Sequence, residues 1–254
     1  MKKKTSFQKS QKWYDKIVGE KGHYYHQSVI IPSMLQEGDF HENARVLDLG
    51  CGQGVFSRHL KKGVEYTGVD LSSSLIDKAK KYRVEKNHRF VLANACEKLP
   101  IKERDFTHGT MILSLQNMEE PKGAIHNLSH HLVSGAKVLI VLNHPCFRIP
   151  RQSDWDVDEG AKVQYRKMNL YMSDQKIPIK THPGQKDSPI TYSFHHPISF
   201  YTDVLHKEGF VVEKILELCS DKKSEGGRAK MENRARLEFP LFLTFIARLE
   251  KRGE

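Results

Sequence analysis

An apolar run leads directly into three closely spaced glycines at residues 46–54, which read VLDLGCGQG. Aliphatic residues on both sides of Asp48 are typical of a buried strand of a parallel sheet. Glycines at alternate positions let the backbone turn sharply and let a ligand approach it closely. The sequence therefore predicts a strand over 45–50, a helix that begins near Val55, and a ligand-binding turn formed by Gly50, Cys51, Gly52 and Gly54.

Short aliphatic runs alternate with amphipathic stretches after this turn, which indicates a parallel sheet covered by helices. Further strands are predicted over 65–70, 89–94, 106–115 and 137–143, and helices over 72–82, 121–132 and 199–208. Two last strands, 211–218 and 241–249, are expected to be antiparallel neighbours, with no helix in the charged excursion between them, 220–236. The expected fold class is α/β, a doubly wound, seven-stranded, mostly parallel, Rossmann-like sheet.

A chain of 254 residues is expected to form one domain. Residues 45–143 would be its ligand-binding core, preceded by N-terminal helices over 1–44 and followed by a C-terminal helix and strands over 199–254. The interval 144–198 holds six of the ten prolines together with many aromatic residues. It is too aromatic for a linker and too irregular for a separate core, so we expect an insertion after the fifth strand that covers a site as a lid.

Composition limits the classes of function without selecting one. The chain has 41 Lys and Arg against 31 Asp and Glu, a net charge of +10, which admits nucleic acid, an anionic membrane or acidic substrates as partners. The four cysteines form no CxxC pair, so neither disulfides nor a zinc site is expected. No apolar run is long enough to span a bilayer and no signal peptide follows the N-terminal lysines, so a cytoplasmic location is expected.

Asp70 ends the second predicted strand, 20 positions after Gly50, where a carboxylate can accept both hydroxyls of an adenosine ribose. A dinucleotide-binding fingerprint would need a third glycine at position 55, which is Val55. The spacing found here, with Asp48 inside the strand, suits a ligand that has an ammonium group and no pyrophosphate.

With these residues the chain resembles the class I S-adenosylmethionine-dependent methyltransferases over about 46–142 and, through strand order, over 199–249. The resemblance implies that Asp48 and the glycine turn hold the methionine end and that Asp70 holds the ribose. Asn94 and Ala95 would flank the adenine, where the family more often has Asp-Ala. Other cofactor contacts are expected at Leu71, Ser114, Leu115, Gln116 and Tyr24.

Residues 13–32 are similar to the lid helices of small-molecule methyltransferases, including the ubiquinone and menaquinone group. This resemblance implies that Tyr24 or His26 reaches the cofactor or the acceptor; the alternative is that these aromatic residues pack the helix against the sheet. Acceptor contacts are expected at His26, Asn143, Arg148 and Trp155. The candidate general bases are His144, His195 and His196, although 143–145 could simply be a turn and 196–197 a lead-in to a helix.

The resemblance predicts transfer of a methyl group from S-adenosylmethionine to a small acceptor, leaving S-adenosylhomocysteine. Residues 114–117 lack the motif of enzymes that methylate the amino groups of bases. An rRNA or tRNA methyltransferase remains an alternative because of the net charge, and RNA contact at 220–236 is possible on that reading. A protein that binds the cofactor without turnover is the other alternative. Neither a metal nor an obligate protein partner is expected.

Overall fold

A computed structural model of the protein describes residues 22–180 and 188–250. Its strands are β1 (Arg45–Leu49), β2 (Glu65–Asp70), β3 (His88–Leu92), β4 (Phe106–Ile112), β5 (Leu132–Asn143), β6 (Ser153–Asp158), β7 (Val163–Met168), β8 (Gln175–Lys180), β9 (Ile190–His195), β10 (Phe210–Leu218) and β11 (Phe242–Leu249). Its α-helices are α1 (Ile31–Gly38), α2 (Ser73–Lys81), α3 (Pro121–His131), α4 (Ile198–Lys207) and α5 (Ala229–Glu238). A π-helical turn, His26–Ile30, precedes α1.

Seven strands form the main sheet in the order β10-β11-β5-β4-β1-β2-β3. The strands from β1 to β5 pair in parallel, whereas β11 runs antiparallel to both of its neighbours, β5 and β10. The predicted seven-stranded, mostly parallel sheet is confirmed, including the antiparallel pairing of the last two strands.

Helices cover both faces of this sheet because its central strands are apolar on both sides. In β5, for example, Val138 and Ile140 belong to one buried cluster and Leu139 and Val141 to the other. Residues of α3 and α4 complete the first cluster, and residues of α1 and α2 complete the second. The chain reverses its direction of winding between β1 and β4, and ligands of open α/β sheets bind at such a switch point, at the carboxyl ends of the strands.

The helix predicted to begin near Val55 is absent. Only a 3-10 turn, Phe56–His59, follows the glycine turn, and Leu60 is already extended. The connection to β2 is short and ends at Gly63, whose φ is +95°, so too few residues remain for an α-helix. No α-helix N-terminus therefore faces the glycine turn from this connection.

The expectation that no helix lies between the last two strands is wrong, because α5 occupies Ala229–Glu238 within and just beyond the charged excursion. Only Met231 and Ala235 are buried on this helix. Two buried positions give too weak an apolar period to detect in a sequence rich in charge.

Residues 144–198 include two antiparallel hairpins, β6–β7 and β8–β9, each separate from the main sheet. Strand β9 packs against a 3-10 turn, Leu115–Asn117, that follows β4. The Lys176 ammonium, on β8, pairs with Glu119 at 2.6 Å. The second hairpin is thereby attached beside the carboxyl end of β4.

In the part of the chain that the structure describes, no helix has the length and apolar character needed to cross a bilayer.

Candidate functional site

The glycine turn closes over the end of β2 through its backbone. The amides of Gly50 and Cys51 both donate to the carbonyl of Val69, at 2.8 and 3.0 Å. Gly50, Gly52 and Gly54 have φ values of +78°, +56° and +71°, which L-residues with side chains rarely adopt. The three glycines are thus required by the conformation of the turn.

Close packing adds a second requirement at two of these positions. A Cβ atom on Gly50 would lie 2.3 Å from the Cβ of Ser114, and one on Gly54 would lie 2.7 Å from a ring carbon of Phe90. The Ser114 hydroxyl, in turn, donates to the carbonyl of Leu49 at 2.8 Å. The turn after β1 and the turn after β4 are therefore in direct contact at the switch point.

Asp70 joins the glycine turn to the start of α2. One carboxylate oxygen accepts the Gly52 amide and the other accepts the Ser72 amide, both at 2.9 Å. Burial raises the pKa of this carboxyl, and the amides of Ser72, Gly52 and Leu71 oppose the increase. Each oxygen keeps a second lone pair that can accept a hydroxyl. Leu71, beside it, is 44% exposed and offers an apolar surface at the same edge.

Asp48 is only 2% exposed and is incompletely paired. The Tyr66 hydroxyl donates to one oxygen, Oδ2. The other, Oδ1, is buried and accepts no hydrogen bond of normal geometry within the described ranges, although the Thr110 hydroxyl is close enough to act on the carboxyl. Burial raises the pKa of this carboxyl to about 6, against the effect of the Tyr66 and Thr110 hydroxyls. A buried carboxylate oxygen in this state is stabilised by a cation or a bridging water.

Leu113 lies at the junction between β4 and the Ser114–Gln116 segment, and its φ is +52°. Leucine in this conformation is strained. The strain is held by three hydrogen bonds: its amide donates to Val141, and its carbonyl accepts the side-chain amides of Gln116 and Asn117. Leu113 was not among the predicted residues, because nothing in a sequence indicates that a leucine has a positive φ.

Asn94 and Ala95 follow β3 at the same edge. The Asn94 side chain is engaged locally, since its oxygen accepts the Cys96 amide at 3.0 Å and its nitrogen donates to Glu97 at 2.9 Å. Ala95 is buried, and its carbonyl accepts the Asn127 side chain. The turn around Asn94 is therefore fixed, and one lone pair of its amide oxygen remains for a ligand.

The segment before α1 crosses from the glycine turn to the loop after β10. Gly22 lies beside Val55, to which an added Cβ would approach within 2.9 Å. The Tyr24 hydroxyl donates to Asp221 at 2.9 Å, and Tyr24 is 43% exposed. His26 has a buried Nδ1 without a partner in the described chain, and burial lowers its pKa to about 4. Trp13 and Tyr14, also part of the predicted lid, lie outside the described residues.

The three candidate histidines differ in their free lone pairs. The amide of Cys146 donates to Nδ1 of His144 at 3.2 Å, so Nε2 carries the proton and donates to Glu217 at 2.9 Å. Both nitrogens of this ring are therefore used within the protein, which favours the interpretation of 143–145 as a turn. His195 donates from Nε2 to the Tyr171 carbonyl at 2.8 Å. Burial lowers the pKa of both His144 and His195.

His196 has a different arrangement. Its Nδ1 donates to Asp174 at 2.7 Å, while Nε2 is buried and meets no hydrogen-bonding group within the described ranges. The ring is stacked on Phe200 with the centroids 3.9 Å apart. A carboxylate that fixes one nitrogen and leaves the other with a free lone pair is the arrangement of a general base. Asp174 was not among the predicted residues; its position 22 residues before His196 gives no sequence signal.

The predicted acceptor residues beyond β5 lie near one another. Asn143 ends β5 and pairs with Phe242 of β11. The Arg148 guanidinium lies over the Phe242 ring, 5.1 Å from its centroid. Trp155, on the first hairpin, is covered by Arg166 at 4.7 Å. Across 22–180 and 188–250, no group of three His, Cys, Asp or Glu side chains is arranged to hold a metal ion.

Comparison with known proteins identifies the fold. Residues 47–140 match the family model described as a methyltransferase domain. A ubiquinone biosynthesis O-methyltransferase of Coxiella burnetii is 34% identical over 97 residues, which are 37% of this chain and 41% of that protein. The chain thus matches less than half the length of these curated relatives.

Two solved structures extend the likeness to nearly the whole chain. An S-adenosylmethionine-dependent methyltransferase from Mesorhizobium loti superposes with a TM-score of 0.66 at 24% identity, over 86% of this chain and 95% of that one. The complex of the Haloferax volcanii Trm112 methyltransferase activator with a methyltransferase gives a TM-score of 0.66 at 15% identity, over 97% and 98%. The predicted resemblance is confirmed: the fold is that of the class I S-adenosylmethionine-dependent methyltransferases.

Proposed function

We propose that this protein transfers a methyl group from S-adenosylmethionine to a small-molecule acceptor. The observation that carries the proposal is the locked turn at Gly50–Gly54 with Asp70 fastened to it by the Gly52 amide at 2.9 Å. The names of the curated relatives support a small acceptor, since they methylate an oxygen in ubiquinone biosynthesis. A cytoplasmic location belongs to the same proposal and is supported by four free cysteines.

The residues present fit this cofactor. Asp70 has lone pairs for two ribose hydroxyls, and its charge strengthens those hydrogen bonds. The buried Oδ1 of Asp48 fits an ammonium group, either directly or through water. Leu71 and Ala95 would border the adenine. The side-chain oxygen of Asn94 would accept a hydrogen bond from the adenine amino group. The cofactor, when bound, supplies a methyl group attached to a positively charged sulfur. After the transfer, the rest of the cofactor leaves as a neutral thioether.

The chain itself must then align the acceptor, exclude water and, for a protonated acceptor, accept one proton. The 114–116 turn would border the sulfur, held in place by Leu113. The second hairpin packs against this turn through β9, and His196 directly follows β9. We propose that Nε2 of His196 accepts the acceptor's proton and that Asp174 positions the ring.

Variants of this pair test the proposed base. His196→Gln should lower kcat by about 100-fold or more with little change in KM, because proton transfer in the transition state is lost. Asp174→Asn should give a smaller loss in kcat. His195→Gln is the matched control and should leave kcat within a few fold of the wild type. Equal losses at His195 and His196 would contradict the assignment.

A single labelling experiment tests the function. The purified chain is incubated with methyl-labelled cofactor and a cell extract, which is then separated into RNA, protein and small-molecule fractions. We expect the label in the small-molecule fraction. Label in RNA would support the alternative of an rRNA or tRNA methyltransferase, and cofactor binding without any labelling would support a binding protein.

Asp70→Ala tests the cofactor site independently of the acceptor. It should weaken S-adenosylmethionine binding by 10- to 100-fold, because two hydrogen bonds to a charged group are lost. Asp77→Ala, on the exposed side of α2, is the matched control and should bind as the wild type does. Calorimetry measures both, and an unchanged affinity of the Asp70 variant would exclude the ribose assignment.

A further inference from the structure

Arg148 occupies an unusual electrostatic position for a half-buried arginine. Its amide and that of Phe147 both donate to the His144 carbonyl, so the residue is fixed in a turn directly after β5. Its guanidinium lies over the Phe242 ring and makes one long hydrogen bond, 3.4 Å, to the carbonyl of Leu241. Four of its five N–H donors have no protein acceptor in the described chain.

No carboxylate among the described residues pairs with this guanidinium. Two other partly buried arginines do have such partners: Arg45 pairs with Glu65 at 2.8 Å, and Arg236 pairs with Glu232 at 3.8 Å. Burial lowers the pKa of Arg148; Tyr25 opposes this decrease, and the like charge of Arg166 adds to it.

Two further cations lie over neighbouring aromatic residues. Lys222 lies 4.6 Å from the Tyr24 ring centroid and 5.3 Å from that of Tyr25. Arg166 lies over Trp155, but its N–H groups already bond to the Phe147 carbonyl and the Ser153 hydroxyl. Arg148 is therefore the guanidinium of this group whose N–H donors are mostly unused within the described chain.

An uncompensated, partly buried charge is unfavourable unless a ligand neutralises it. Its location suggests which ligand. Arg148 lies beside the carboxyl end of β5 and the amino end of β11, at the same edge of the sheet as Ser114. β4 and β11 are two strand spacings apart, about 10 Å.

We propose that Arg148 binds the carboxylate of an aromatic acceptor whose other end reaches the turn after β4. This inference rests on the proposed function for the identity of the ligand as the acceptor. The guanidinium presents a planar pair of donors that matches a carboxylate. The partly buried Tyr25 ring, which packs on the buried Phe242 ring with the centroids 5.7 Å apart, offers an apolar surface for the aromatic body. Lys222 adds a second positive charge near Tyr25, so the planar fork of the guanidinium, and not the number of charges, favours a carboxylate.

Binding of benzoate to the full chain, without cofactor, tests the anion site by NMR titration. Benzamide is the neutral isostere and phenyl phosphate the dianionic one. We expect benzoate to bind more tightly than both. Arg148→Met should weaken benzoate binding by 10- to 100-fold, as expected for loss of hydrogen bonds to a charged group. Arg148→Lys keeps the charge without the fork and should give an intermediate loss.

Arg151→Met is the matched control, since Arg151 is exposed and lies three residues further along the same loop. It should leave benzoate binding unchanged. Equal losses in the Arg148→Met and Arg151→Met variants, or benzamide binding as tight as benzoate binding, would overturn the proposal. A preference for phenyl phosphate would overturn the carboxylate as the ligand.

Two readouts separate this inference from the proposed function. Arg148→Met should retain S-adenosylmethionine binding, and Asp70→Ala should retain benzoate binding. Benzoate, but not benzamide, should also suppress labelling of the small-molecule fraction by the wild type. Benzoate binding without that suppression would show that the anion site is not the acceptor site and would overturn the inference, even if cofactor binding is as proposed.

Discussion

Asp48 and Asp70 are two carboxylates on neighbouring strands with different environments. Asp70 is compensated by backbone amides on both oxygens, whereas Asp48 keeps one buried oxygen that accepts no hydrogen bond of normal geometry from the described residues. In the unliganded protein, Asp48 therefore lowers stability whenever it is ionised. A site that binds a cation commonly retains such a group, because the stability it removes is recovered on binding.

The pH dependence of stability should reveal this. The pKa of Asp48 is about 6 in the folded protein against 3.8 for an ordinary aspartate, so the folded state binds the proton more tightly. The free energy of unfolding consequently falls as pH rises from about 4 to about 6 and stays lowered above that. Asp48→Asn should match the wild type at pH 4 and exceed it by about 3 kcal/mol at pH 7.5.

Urea unfolding of both proteins at the two pH values measures this difference. Asp77→Asn, an exposed change, is the control and should show no pH-dependent gain. A stability difference between Asp48→Asn and the wild type that is the same at pH 4 and pH 7.5 would show that Asp48 is not the titrating group.

Glycine at position 50 is required for two separable reasons, conformation and space. Gly135 has a similar φ, +81° against +78°, but an added Cβ there would meet nothing within 4 Å. Gly135→Ala should thus show only the conformational strain, about 1 kcal/mol. Gly50→Ala adds a clash with Ser114 and should lose about 2 to 4 kcal/mol in urea unfolding, together with cofactor affinity. Equal losses at the two positions would mean that Ser114 moves aside.

Among the secondary-structure elements, the two hairpins after β5 differ from the rest in not joining the main sheet. The first, β6–β7, packs through Trp155 on Phe239, with the rings 5.5 Å apart, and not on the glycine turn. Its contacts are on the acceptor side, beside Arg148 and Phe147. If residues 144–198 act as a lid, these contacts associate the first hairpin with the proposed acceptor and not with the cofactor.

Removing this hairpin should therefore separate turnover from cofactor binding. The amide of Asn169 donates to the Gln152 carbonyl at 2.9 Å, so an Asn-Gly turn can replace residues 153–168 without moving the flanking chain. Labelled-methyl transfer should fall by about 100-fold, as expected when an acceptor is misplaced by about 1 Å. Cofactor affinity measured by calorimetry should stay within about threefold. A parallel loss of both would contradict the assignment of the hairpin to the acceptor.

For the whole molecule, the order of the strands and the glycine turn could be predicted from the sequence, because both depend on local patterns. Aliphatic runs such as 138–142 mark buried strands, and the GxGxG spacing marks a turn that only glycine permits. The sequence did not show α5, with two buried residues, or the shortness of the turn after Gly54. The positive φ of Leu113 and the hydrogen bond between Asp174 and His196 could not be predicted either, because each depends on contacts between distant segments.

Two arginines of the basic excursion are already engaged within the protein. These arginines were candidates for RNA contact, yet Arg228 is paired with Glu159 and Arg236 bonds to Ser224. Such side chains lose part of their ability to bind phosphate, because each is already partly neutralised or held. The net charge of +10 therefore supports RNA binding less strongly than the composition alone suggests.

The position of β11 has a consequence for biosynthesis. This strand lies between β5 and β10, although the ribosome makes it after both. Until it emerges, the apolar strand Leu132–Asn143 has one unpaired edge, and it must wait while residues 144–241 are translated, on the order of 5 to 20 s. An open edge of this kind invites pairing with other nascent chains. We expect the yield of native protein to depend on chaperones and on translation speed, so that synonymous codons upstream of Phe242 would alter expression without altering the protein.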